Sequence, residues 1–67
     1  MYKTIQKVSE KYLKEHGLRM TTMNNVVVKR EFYIVNVLVK NDKKKRALVI
    51  NQNSIGKYVV MALFYLD

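Results

Sequence analysis

The hydrophobic pattern of the chain changes its period at Gly17. Before this glycine, apolar residues recur at helical spacing and lysines gather on the opposite side. After it, β-branched residues dominate, and these favour strands. The sequence therefore predicts an amphipathic N-terminal helix that ends at Gly17, where a left-handed residue can close it, followed by a sheet. The predicted core side of this helix carries Tyr2, Ile5, Val8, Tyr12, Leu13 and His16.

Three strands are predicted after the helix. Residues 21–28 pass from short polar residues to a valine run, which indicates a first strand that ends near Lys29. Residues 31–40 are apolar at alternate positions and mixed between them, which indicates a central, largely buried strand. Turn-favouring and charged residues at 41–44 precede the apolar residues 47–50, so a hairpin is expected between the second and third strands.

The C-terminal segment is predicted to be a second helix. Asn53 and Ser54 are candidate N-caps, and residues 55–66 are long enough for three turns. The expected fold is one α+β domain, residues 1–67, with a three-stranded antiparallel sheet in the order α-β-β-β-α and both helices on one face. The β-favouring residues of 58–66 leave a fourth strand open as the alternative.

This order resembles the double-stranded-RNA-binding domain, a family that reads the shape of duplex RNA. Residues 32–39 resemble the second strand of that family, Lys29 and Arg30 fall near its minor-groove loop, and Ser54 lies where its last helix begins. Residues 55–57 depart from the family, because they contain one lysine where it has a lysine cluster. The resemblance implies the α-β-β-β-α architecture.

Positive charge dominates the composition. Thirteen lysines and arginines face five aspartates and glutamates, for a formal net charge of +8. Such an excess favours polyanionic partners, although charge of this kind also keeps small domains soluble. The candidate phosphate contacts fall into three groups: Lys3, Lys7, Lys11 and Lys14 on the helix; Lys29 and Arg30; and Lys43, Lys44, Lys45 and Arg46 in the expected hairpin. Arg46 is expected to contribute most in its run, since a guanidinium can hold a phosphate with two hydrogen bonds.

We therefore expect a non-enzymatic protein that binds RNA or DNA through phosphates with little sequence specificity. No catalytic motif, nucleotide loop or small-molecule site is recognisable, and the absence of cysteine leaves little from which to build a metal site. His16 with Glu15 or Glu31 could form a dyad, but a histidine that closes a helix is the commoner arrangement. Phe32 is the best candidate for stacking on a base. No cofactor is expected.

The alternative expectation is a protein-binding module. A segment as apolar as residues 58–66 is hard to bury completely in so small a domain, which indicates a partner. Val60, Leu63 and Phe64 are the candidate interface residues. A homodimer fits this description, as does an accessory or inhibitor protein, of a size that mobile elements encode, that docks on a larger protein.

A cytoplasmic location is expected from two features. The first seventeen residues interleave charges with apolar residues and contain no continuous apolar region of a secretory signal. The longest apolar run, residues 58–66, is less than half of the ~20 residues that a membrane-spanning helix needs. Binding to a membrane surface through the helix lysines ranks last among the binding modes, because the apolar side of the helix lacks tryptophan and phenylalanine.

Overall fold

A computed structural model describes residues 2–66 of the chain. One helix precedes a four-stranded antiparallel sheet whose strands neighbour each other in sequence order. The loops between β1 and β2 and between β3 and β4 lie at one end of the sheet, and the turn between β2 and β3 lies at the other. The elements are α1 (Tyr2–Glu15), β1 (Met20–Val28), β2 (Tyr33–Val39), β3 (Asp42–Gln52) and β4 (Tyr58–Leu66).

The predicted N-terminal helix is confirmed. Ile5, Ser9 and Leu13 are completely buried on the side that packs against the sheet. The helix closes at Gly17, which has a φ of 73°, and the amide of Leu18 donates to the carbonyl of Leu13 at 2.8 Å. This left-handed closure satisfies carbonyls that the end of a helix would otherwise leave without partners.

The core lies between α1 and one face of the sheet. Val35, Val37, Leu48 and Ile50 are completely buried there. Each such side chain contributes roughly 1.5–3 kcal/mol through removal of apolar surface from water. Val59 of β4 lies outside this core, with 40% of its surface exposed.

The expected C-terminal helix is wrong. Residues 58–66 form β4, which pairs along its length with β3, so the order is α-β-β-β-β and the alternative of a fourth strand describes the segment. The architecture implied by the double-stranded-RNA-binding family is therefore absent. The error came from Asn53, whose Oδ1 accepts hydrogen bonds from the amides of Ile55 at 3.1 Å and Lys57 at 2.8 Å. These bonds fix a turn, in which Gly56 has a φ of 83°, rather than the start of a helix.

The hairpin between β2 and β3 is tighter than expected. Val39 pairs with Asp42, so only Lys40 and Asn41 form the turn, and Asn41 adopts a φ of 66°. Residues 43–45, which were expected in the turn, belong to β3. They bulge from the ladder, because three residues of β3 lie opposite the single residue Leu38 of β2.

No helix within residues 2–66 covers the second face of the sheet, and we call it the open face. One row across it consists of Val27, Ile34, Val49 and Ala62, which are paired directly from strand to strand. The neighbouring row consists of Asn25, Asn36, Ala47 and Phe64. Nδ2 of the Asn36 side chain donates to Oδ1 of Asn25 at 2.5 Å. The open face is therefore mostly apolar, with the polar pair Asn25 and Asn36 on β1 and β2.

Candidate nucleic-acid interface

The helix presents a line of cations to solvent, which we call the lysine stripe: Lys3, Lys7, Lys11 and Lys14. All four side chains are exposed. They point away from the sheet because Ile5 and Leu13 fix the opposite side of α1 in the core. At 1.5 Å of rise per residue, the stripe extends over about 16 Å.

Glu10 lies within the same side of the helix and reduces the charge of the stripe. It stands four residues before Lys14 and three after Lys7, which are positions that share a helix face. The structure nevertheless shows no ion pair there. Among the described residues, the only ion pair joins Arg46 and Asp42.

A second group of cations lies at one end of the sheet, on the loop between β1 and β2. Lys29 and Arg30 are exposed, and the amide of Lys29 donates to the carbonyl of Phe32 at 2.8 Å. Together with Asn51 and Gln52 they border an open depression of about 400 Å³. The ring of Phe32 is 37% exposed, so an aromatic surface is accessible beside these cations.

A third group lies near the other end of the sheet, where β3 bulges. Lys43, Lys44 and Lys45 are exposed. The ammonium of Lys44 lies 5.7 Å from the centre of the Tyr65 ring, and its backbone amide donates to Oδ1 of Asp42 at 2.9 Å. The bulge thus displays three neighbouring cations on a strand rather than on a flexible turn.

Arg46 was expected to be the best phosphate contact of its run, but it is the one buried lysine or arginine among residues 2–66, with 5% of its surface exposed. Its Nη2 donates to Oδ2 of Asp42 at 2.9 Å and to the hydroxyl of Tyr65 at 3.1 Å. The guanidinium also lies 4.7 Å from the centre of the Tyr65 ring. We therefore leave Arg46 out of the proposed binding surface, since an arginine held by these partners serves the fold.

Asp42 is held in its ionised form by its neighbours. The hydrogen bond from the Lys44 amide is the largest effect and lowers the pKa of this carboxyl below its ordinary value, against an opposing effect of burial. The hydrogen bond from Arg46 and the charges of Arg46 and Lys44 lower the pKa further. The four-residue spacing of Asp42 and Arg46 does not predict this contact, because residues four apart in a regular strand lie about 13 Å apart. The bulge at residues 43–45 shortens the path between them.

The three groups of cations do not form one continuous patch. The turn near residues 43–45 and the loop with Lys29 and Arg30 lie at opposite ends of the sheet, as expected, while the stripe runs over the helix side. Sequence reasoning left out three further exposed cations: Arg19, Lys40 and Lys57. Arg19 and Lys40 meet near the end that carries residues 43–45, because the amide of Lys40 donates to the carbonyl of Arg19 at 2.8 Å.

His16, which was considered for a catalytic dyad, has a structural role. Nδ1 of His16 donates to the carbonyl of Tyr12 at 2.8 Å, and the two rings lie 4.2 Å apart between centres, so the histidine closes the helix. Ser54, a candidate N-cap of the expected second helix, lies in the β3–β4 turn. In the described residues, no three metal-binding side chains gather into a group, and no helix has the length and apolar character needed to cross a membrane.

The candidate interface residues of the C-terminal segment divide between the two sides of β4. Val60 and Leu63 are half-buried and pack against the core beneath α1. Phe64 lies on the open face and is 44% exposed. Of the three, only Phe64 offers a substantial surface to a partner.

Comparison with known proteins finds no family model, no curated protein and no solved structure that matches this chain.

Proposed function

We propose that this protein is a non-enzymatic binder of duplex nucleic acid that contacts the phosphate backbone through the lysine stripe of α1, with little sequence specificity. The observation that supports the proposal is the stripe itself. Its four lysines are exposed on one side of a helix, and none forms an ion pair with a described acid. Cations without internal partners are free to neutralise phosphates.

The dimensions of the stripe suit a phosphate backbone. Phosphates follow each other at about 3.4 Å of helical rise along one strand of a duplex, so a stripe of about 16 Å runs alongside several of them. Lysines act as point charges and do not distinguish base edges, so sequence selectivity should be poor.

The position of the aromatic residues favours a duplex over a single strand. Single strands are commonly held by bases stacked on exposed rings. Phe32, Phe64 and Tyr65 are the large aromatic side chains with substantial exposure among the described residues, and all lie off the stripe. Tyr12 on α1 is half-buried against the core.

The loop cations extend the proposed surface at its margins. Lys29 and Arg30 at one end of the sheet, and Lys43, Lys44 and Lys45 at the other, can reach phosphates beyond the stripe. The proposal also includes a cytoplasmic location, where nucleic acid is accessible and the cysteine-free chain needs no oxidising environment.

The test compares two triple variants that lose the same charge at different places. Lys7→Gln/Lys11→Gln/Lys14→Gln removes most of the stripe, and Lys43→Gln/Lys44→Gln/Lys45→Gln removes the bulge cations. Fluorescence anisotropy with labelled duplex RNA, duplex DNA and the corresponding single strands measures the affinity of each protein. All six lysines are exposed, so both variants should fold.

We expect the stripe variant to lose at least about tenfold more duplex affinity than the bulge variant. Equal losses would indicate that total charge, not the stripe, governs binding. Failure of the wild-type protein to bind either duplex would refute the proposal. A preference for duplex RNA or for duplex DNA would identify the ligand.

A further inference from the structure

The two edges of the sheet are built differently. β1 forms one edge and β4 the other, so each presents unpaired backbone amides and carbonyls to solvent. Such an edge can pair with another strand unless the sequence prevents it. The two strands differ in their bulges, in their polarity and in the charges that flank them.

The β1 edge is protected against pairing with its own copy. Thr21 and Asn24 are extra residues that interrupt its ladder with β2, and such bulges twist an edge away from partners. Antiparallel pairing of two copies centred on Asn24 would also place Arg19 of each copy opposite Lys29 of the other. Like charges directly opposite each other are destabilising.

The β4 edge lacks this protection over its second half. Residues 62–66 pair regularly with β3, and the single extra residue of the strand, Met61, lies before them. This half contains no charged or proline residue. Phe64, at its centre, is 44% exposed, and Met61 is 63% exposed.

We propose that residues 62–66 of β4 pair antiparallel with the same residues of a second copy of this chain, about a two-fold axis near Phe64. A second copy is the favoured occupant because an identical strand meets itself in register under this symmetry. An uncharged edge also offers no group with which to select a charged partner. The pairing does not depend on nucleic-acid binding.

The pairing defines the shape of the dimer. A two-fold axis perpendicular to the sheet joins the two four-stranded sheets into one continuous sheet. Both copies of α1 then lie on the same side, and the row that ends at Phe64 continues into its counterpart across the axis. Phe64 thereby gains an aromatic cross-strand neighbour and the second copy covers part of its surface.

Sedimentation equilibrium without nucleic acid tests the proposal. The wild-type chain should have twice its 8.0 kDa mass at high micromolar concentration. Phe64→Lys should shift it to the single-chain mass, because two ammonium groups would meet at the axis. Thr22→Lys adds the same charge to the open face of β1, where Thr22 is exposed, and should leave the dimer intact.

Single cysteines provide a second measurement that does not depend on a destabilising charge. The chain has no cysteine of its own, so Phe64→Cys should form a disulfide-linked dimer on mild oxidation, since directly paired residues lie within disulfide reach. Thr22→Cys should remain uncrosslinked. A single-chain mass for the wild type overturns the proposal, as does a dimer that Phe64→Lys leaves intact or a Phe64→Cys chain that does not crosslink. These outcomes leave the nucleic-acid proposal untouched.

Discussion

At the scale of single residues, one partly buried ion pair shows how a cation changes its role with its surroundings. Arg46 belongs by sequence to a basic run, yet it is buried beside Asp42 and Tyr65 while its three lysine neighbours are exposed. A phosphate contact was expected because Arg46 follows three lysines in the sequence. The position of Tyr65 opposite Arg46 on the neighbouring strand could not be read from that run. Pairing of Arg46 with Tyr65 across β3 and β4 depends on the fourth strand, which was not the expected structure.

The ion pair leads to a prediction about stability. Asp42→Asn should lower the urea midpoint of unfolding, because it leaves the buried Arg46 without a carboxylate while keeping an oxygen that can accept from the Lys44 amide. Arg46→Met should lower the midpoint less than Asp42→Asn, since the carboxylate that it leaves behind is partly exposed whereas Asp42→Asn leaves a buried cation. The double variant should recover the stability that Asp42→Asn loses. Equal midpoints for wild type and Asp42→Asn would show that the pair contributes nothing.

The same carboxyl predicts a pH dependence. The pKa of Asp42 is lowered in the folded protein, so its stabilising contribution is present above the ordinary value of 3.8 and is lost as the pH falls through the lowered value. The difference in unfolding free energy between wild type and Asp42→Asn should therefore shrink in this acid range. Urea unfolding followed at a series of pH values measures it, and a constant difference would contradict the assignment.

The β3–β4 turn predicts the effect of a glycine substitution. Gly56 has a φ of 83°, and a Cβ there would meet only Nε2 of Gln52 at 3.6 Å, which is ordinary contact. Gly56→Ala should therefore destabilise by about 1–2 kcal/mol through backbone strain alone. Gly56→Asn should cost less, because asparagine tolerates the left-handed region. Thermal unfolding compares the two, and an equal loss for both would point to steric contact instead.

At the scale of elements, α1 was predictable and β4 was not. The apolar side of the helix repeats over four turns and its lysines lie opposite, so this pattern predicts a helix and no other element. Residues 58–66 mix helix-favouring and strand-favouring residues, and an asparagine before them serves a turn as well as a helix start. Pairing with β3 makes residues 58–66 a strand rather than a helix. The sequence of this segment alone does not show that pairing.

The helix itself predicts a gain of affinity. Glu10→Gln removes the acid that stands three residues after Lys7 and four before Lys14, and it should strengthen duplex binding by about two- to fivefold at low salt, the size expected of one exposed charge. Glu31→Gln makes the same change on the β1–β2 loop and should raise affinity less. Anisotropy titrations rank the two proteins, and the reverse order would move the binding surface away from α1.

At the scale of the whole molecule, the charge of +8 is carried almost entirely at the surface. Composition alone predicted the exposure of the lysines, because ammonium groups are rarely buried. The order of residues predicted the three separate groups of cations, but not that residues 43–45 lie on a bulged strand or that Arg46 is buried beside them. The proposed β4 dimer would place two stripes on one side of a single sheet.

The most direct test of the central claim is the salt dependence of duplex binding by the wild-type protein. Four phosphate contacts through the lysine stripe predict a loss of affinity of at least about a hundredfold between about 50 and 200 mM salt, with the same loss for duplexes of unrelated sequence. Binding that is undetectable at the lower salt concentration, or that weakens by less than about tenfold, would contradict the assignment of the stripe as a phosphate-binding surface.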